Sequence, residues 1–238
     1  MWELLRKAIV RPLVRRWLRA SRHSWEKLPT PEREQVVVAP GPDPDRVLLA
    51  GSGIAVGYGM RTHDLALGGH LARELASITG RGAEVDVLAQ EHMTAESLRT
   101  ELDARRLLSV DAIVSTPGSV ESLLMMSSAA WRAETTGLLD HVHRTAPASV
   151  HIFLVAVPPL PDLVPMPWLL ARLASLSARR LNRQLREVCA SRAFATFVPF
   201  EPTEPAGRTG TGRTYQRWAE LIAPLVSTAL ERQAKADR

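Results

Sequence analysis

From residue 46 onward the chain alternates short apolar runs with longer stretches whose apolar residues recur every three or four positions. Runs at 46–50, 84–90, 111–116, 149–157 and 193–200 predict five strands. The intervening stretches 64–78, 94–108, 128–144, 168–191 and 215–232 predict helices. Gly80 stands where the first of these should stop, and Thr94 where the second should be capped. Five strands alternating with helices predict an α/β domain: a mostly parallel sheet with helices on both faces. In that architecture a site lies at the carboxyl ends of the strands. The loops to inspect are therefore 51–62, 90–93, 117–127, 158–167 and 200–213.

Ahead of this body the pattern changes. Trp2, Leu5, Ile9, Leu13 and Trp17 share one face of a helix, and Lys7, Arg11, Arg15, Arg19 and Arg22 lie largely on the other. Arg6 and Arg16 intrude at the stripe's flanks, and Pro12 should kink the helix or start a second one. Residues 1–28 therefore read as a basic amphipathic arm. Three uses are open to it: packing its Trp/Leu face on the domain, lying on an anionic membrane surface through residues 1–22, or serving as a targeting segment. Residues 29–45 hold five prolines and read as a linker or an extended arm on the surface, leaving 46–238 as the main domain.

Charge sharpens this division. The 238 residues carry a net charge of +5, yet residues 1–30 hold eight bases and two acids, so the rest sums to 5 − 6 = −1. A domain that coats nucleic acid would spread its positive charge over the folded face, so no specific nucleic-acid role is expected. The single cysteine, Cys189, excludes an intramolecular disulfide framework and a multi-cysteine zinc module. No stretch approaches the roughly 20 apolar residues of a membrane span. A cytoplasmic protein, at most peripheral to a membrane, is expected, with no metal and no cofactor.

The first strand runs into Gly51-Ser52-Gly53-Ile54-Ala55-Val56-Gly57-Tyr58-Gly59. A dinucleotide site would use such glycines to bring the backbone to a pyrophosphate. The acidic residue that such a site needs about twenty positions on is missing, since Glu74 falls inside a predicted helix. Nucleotide binding is therefore disfavoured.

The same nine residues resemble the first block of the SGNH (GDSL-type) esterase family, usually written GDSIxxGxG. The resemblance continues through Ser77–Ala89, Val110–Gly118, the Ala156–Asn182 loop and helix, and Thr214-Tyr215-Gln216-Arg217-Trp218-Ala219, which is similar to the GYxxWA start of the family's last helix. It covers about residues 46–230 with every element in order. It implies a three-layer α/β/α, flavodoxin-like fold with a five-stranded mostly parallel sheet.

The resemblance also implies a site: a serine nucleophile after Gly-Asp, activated by a histidine held by an aspartate, with an oxyanion hole completed by a second-block glycine and a third-block asparagine. Here the nucleophile slot is Gly53, preceded by Ser52 rather than aspartate. The second-block glycine falls on His92, beside Glu91, and the third-block asparagine on Val120, in Gly118-Ser119-Val120-Glu121. The aspartate and histidine of the last block become Ala206 and Thr209, and no histidine follows His151. The usual general base is absent.

Two functions follow. In the first, the chain is a catalytically degenerate scaffold that binds an unknown ligand or protein partner in the former crevice of Gly51, Gly53, Glu91, Gly118, Val120, Glu121 and Thr209. In the second, an esterase or acyltransferase site is rebuilt on Ser52 or Ser119 with His92 as base. Arg208 and Arg213 flank a Gly/Thr-rich loop and are candidates to hold an anionic group. Glu121 is otherwise expected to favour the dipole of its own helix, near a cap at Ser122. His63, His70, His141 and His143 are expected at the surface.

Overall fold

A computed structural model describes residues 12, 14, 16–17, 28–31, 34–159, 166–199 and 212–236. Among these lie six strands, one more than predicted: β1 (Glu34–Ala39), β2 (Asp45–Gly51), β3 (Ala83–Ala89), β4 (Ala112–Thr116), β5 (His151–Val155) and β6 (Ala195–Val198). Their order across the sheet is β1-β3-β2-β4-β5-β6; β2 to β6 run parallel and β1 pairs antiparallel with β3. The extra strand lies inside the Pro-rich segment. The run Val36-Val37-Val38 is β-branched, and Pro40, Pro42 and Pro44 fall just beyond it, where they interrupt no ladder bond.

Side-chain alternation along the strands decides the layers. Val47 and Leu49 of β2 face one side, where they pack with helices α1 (Leu67–Thr79) and α7 (Gly212–Ala236). Leu48 and Ala50 face the other, against α2 (Ala95–Glu101), α3 (Ala104–Leu108), α5 (Ser128–Thr145) and α6 (Trp168–Ala190). A short helix, α4 (Ser119–Leu123), follows β4 directly. The result is the three-layer α/β/α architecture read from the pattern.

Local chemistry sets the element ends. Gly80 closes α1 in the left-handed region at φ 70°, with its N–H donating to Ala76 O. Thr94 caps α2 through a reciprocal box with Ser97. The predicted helix 94–108 is broken in two, because Leu102 leaves helical geometry and the Asp103 carboxylate accepts from Arg106 N–H to start α3. His63 is also unlike its expectation. It is buried, in a short 3-10 turn (His63–Leu65) whose backbone packs against the start of α1, and its own N–H donates to Gln35 Oε1 of β1. The strand that hides it is the one missed in the Pro-rich segment.

The arm can be followed at four residues, all helical: Pro12, Val14, Arg16 and Trp17. Val14 is buried and clusters with Leu123 of α4 and Ala174 of α6, with Trp17, Tyr58, Met166 and Leu170 packed around them. At these positions the arm packs on the domain, while Arg16 is exposed. Among the described residues no helix is long and apolar enough to cross a membrane.

The end of β5 is held by a side chain rather than a ladder. Asn182 of α6 accepts from Val157 N–H and donates to Val157 O, each at 2.8 Å. Asn182→Ala removes both bonds and leaves the N–H and carbonyl of the buried Val157 without their partner. The expected loss is about 2 kcal/mol, read as a fall of roughly 4–8 °C in melting temperature. An unchanged melt would show that this clamp contributes nothing.

Candidate functional site

The sheet reverses its winding between β2 and β4, so their carboxyl ends open the crevice. Gly51 pairs with Thr116 at the last rung of that seam. Its φ of 133° is open only to glycine, and a Cβ there would press on the Thr116 carbonyl at 2.8 Å. The seam continues one residue further. Ser52 N–H donates to Thr116 O at 3.2 Å, and Thr116 Oγ1 donates back to Ser52 O at 2.7 Å. On the other flank Gln90 N–H donates to Gly51 O at 3.1 Å, tying in the end of β3.

Gly53 opens a 3-10 turn, Gly53–Val56, at φ 63°. A Cβ built on it would overlap Ser119 Oγ and stand 3.3 Å from Ser119 Cβ. The Ser119 hydroxyl thus fills the space that a side chain at residue 53 would need. Ser119 can do this because Gly118 turns the chain at φ 98° straight into α4. A Cβ on Gly118 would overlap Val157 Cγ2 and lie 3.2 Å from Trp131 Cη2. Trp131 is itself fixed, its indole N–H donating to Leu181 O at 3.0 Å.

The predicted residues separate into those the fold gathers and those it does not. Gly51, Ser52, Gly53, Gly118 and Ser119 are brought together and buried. Ser52 is 0% exposed, and its Oγ has no hydrogen-bond partner among the described residues, so no hydrogen bond joins it to His92. His92 is exposed and Glu91 half-buried, in the loop between β3 and α2. Val120 is half-buried on α4. Arg213 is exposed in the first turn of α7. Thr209 and Arg208 lie outside the described residues.

Glu121 stands in the first turn of its own helix, as expected, and reaches beyond it: Oε1 accepts from Ala95 N–H, at the start of α2, at 2.8 Å. Ser122 is no cap, since its hydroxyl donates to Ala174 O at 3.1 Å. A carboxyl from the β4 loop thus satisfies an orphan amide in the β3 loop and locks the two together. Burial raises its pKa from 4.5 to about 7; backbone N–H groups of Ala95, Glu121 and Gly118 oppose the rise, and the nearby Glu134 carboxylate adds to it.

Three positioning residues were not singled out from sequence. Thr116 is one half of the seam just described. Tyr215 donates its hydroxyl to Tyr58 O at 2.8 Å, holding the turn after Gly57, and burial pushes its pKa up. Val14 brings the arm to the crevice's rim. Only Tyr215 carried a sequence signal, as part of the block at 214–219.

The chain matches no family model and no curated protein sequence. Solved structures do match. The crystal structure of TesA superposes with a TM-score of 0.60 at 16% identity, covering 78% of this chain and 99% of that one. An active-site mutant of a family two carbohydrate esterase from Clostridium thermocellum superposes with a TM-score of 0.56 at 15% identity, covering 81% of this chain. This chain spans about two thirds of that esterase's length (66%). The lipase/acylhydrolase from Enterococcus faecalis gives a TM-score of 0.54 at 15% identity, over 77% of this chain and 96% of that one. The fold is that of the SGNH (GDSL-type) hydrolases, as the sequence blocks implied.

The Glu121 geometry fixes a pH dependence. A raised carboxyl pKa means that the folded state binds more proton than the unfolded one between pH 4.5 and about 7. This group's contribution to stability is therefore greatest below pH 4.5, falls as pH rises to about 7, and is level above. The fall is of order 3 kcal/mol. Glu121→Gln keeps an acceptor for Ala95 N–H and cannot ionise. Its denaturant-unfolding free energy should be flatter than wild type over this range and higher at pH 8; parallel profiles would sink the assignment.

Proposed function

We propose that this protein is an SGNH-fold scaffold that has lost ester hydrolysis and keeps its crevice for binding or for regulating a partner. The observation that carries this reading is the overlap of Ser119 Oγ with the place of a side chain at Gly53. A side chain at residue 53 would have to displace the Ser119 hydroxyl and adopt the left-handed φ of 63°, so the space is now shaped around a glycine. The burial of Ser52 supports the same reading, since a hydroxyl with no base and no exposure has no route to a carbonyl. The absence of any histidine after His151 removes the usual base.

A second reading draws on the same contact. The Ser119 hydroxyl stands beside the former nucleophile's place, so an esterase or acyltransferase rebuilt on Ser119 with His92 as base remains the alternative. In either case the basic residues of 1–22 suit a cytoplasmic protein held peripherally at an anionic membrane.

Hydrolysis of p-nitrophenyl acetate and butyrate separates the two. Wild type, Ser52→Ala, Ser119→Ala and His92→Ala should all turn over no faster than heat-inactivated protein. Gly53→Ser should also be inactive, because a restored serine has no histidine in the usual base position, none following His151. Turnover that vanishes in both Ser119→Ala and His92→Ala would establish the rebuilt pair instead.

A further inference from the structure

Among the described residues, helix α6 carries an exposed apolar surface. Trp168 is 75% exposed, and Leu169, Leu173 and Leu176 are exposed with it. At 100° per residue the four fall within about 140° of arc, on the first three turns of the helix. The inward side of the same turns is occupied: Ala174 is buried against Val14 of the arm, and Leu170 packs beside them. Val14 and Trp17 therefore meet the inner flank, and the Trp/Leu face stays exposed.

Charge on the helix identifies what that face suits. Arg172 interrupts the apolar patch, and Arg179, Arg183 and Arg186 continue the same exposed arc toward the carboxyl end. Helix α6 holds five arginines and one acid, Glu187, which is already paired with Arg132. A second copy docked on this face would bring two surfaces of the same strong positive charge together, which like-charge repulsion disfavours. An exposed tryptophan and leucines beside an arginine row match instead the interface of an anionic bilayer, where apolar side chains enter the acyl boundary and guanidinium groups meet phosphates.

We infer that the outer face of α6 is a membrane-docking surface, in which Trp168, Leu169, Leu173 and Leu176 insert and Arg172, Arg179, Arg183 and Arg186 bind anionic headgroups. The inference rests on the peripheral-membrane reading but not on the state of the crevice. It moves the inserted contact from the arm's stripe to α6. Because Leu170 and Ala174 of α6 pack with Leu123 of α4 and with Tyr58, in the loops that follow β4 and β2, docking brings the crevice rim close to the lipid.

Cosedimentation with vesicles tests it, using full-length protein and phosphatidylcholine with or without 30% phosphatidylglycerol. Wild type should bind the anionic vesicles and not the neutral ones. Trp168→Ser with Leu173→Ser should abolish binding at any salt. Arg179→Glu with Arg183→Glu and Arg186→Glu should weaken it roughly a hundredfold. These side chains are exposed, and unchanged melting temperatures would show that the variants fold. Arg11→Glu with Arg15→Glu and Arg19→Glu serves as the comparison. If the α6 variants bind like wild type while this arm variant does not, the α6 surface is refuted and the peripheral reading stands. Wild type that never sediments with anionic vesicles refutes both. A dimer in light scattering that Trp168→Ser dissociates would show that the face belongs to a second copy, and would also refute the inference.

Discussion

The crevice depends on how closely β2 and β4 approach at their carboxyl ends. Gly51 has no side chain, so the Thr116 carbonyl can sit where a Cβ would be, and the two strands exchange bonds one residue past the sheet through Ser52. That closeness fixes where residue 53 emerges and where the turn at Gly118 begins. Ser119 then meets Gly53 because both loops leave a seam too narrow to hold them apart. With any larger residue at 51 the strands would separate, and the relation between the two loops would be lost.

The loops around the crevice form one body. Gln90 is tied to Gly51, Ser52 to Thr116, and Glu121 to Ala95, so the ends of three adjacent strands hold each other by hydrogen bonds. One of those bonds belongs to a buried carboxyl whose ionisation lies near neutrality. Such a cluster keeps its shape whether or not it performs chemistry. A fold whose crevice is braced this way can lose its reactive side chains and remain a well-defined surface.

Much of the fold was legible because its signals are local. The apolar run 46–50 ending at Gly51 reads as a buried parallel strand on its own, and Gly80 and Thr94 mark helix ends by their chemistry. The edge strand Glu34–Ala39 was not legible, since half of it faces solvent and prolines surround it; only its pairing with β3 makes it a strand. The division at Leu102-Asp103 was hidden by a continuous helical pattern. At the site, Gly51, Ser52, Gly53, Gly118 and Ser119 could be read as loop residues at strand ends, but the contact between Gly53 and Ser119 spans 66 residues and exists only after folding. The same holds for Glu121, whose partner lies 26 residues earlier in another loop.

The arm's contact has a consequence for synthesis. Val14 is buried against Leu123 and Ala174, which are made 109 and 160 residues after it. At roughly 5–20 residues per second Val14 is joined to the chain about 8–32 s before Ala174 is. During that interval Val14 has no domain to pack on. The nascent chain therefore leaves uncovered an apolar side chain that the finished protein buries.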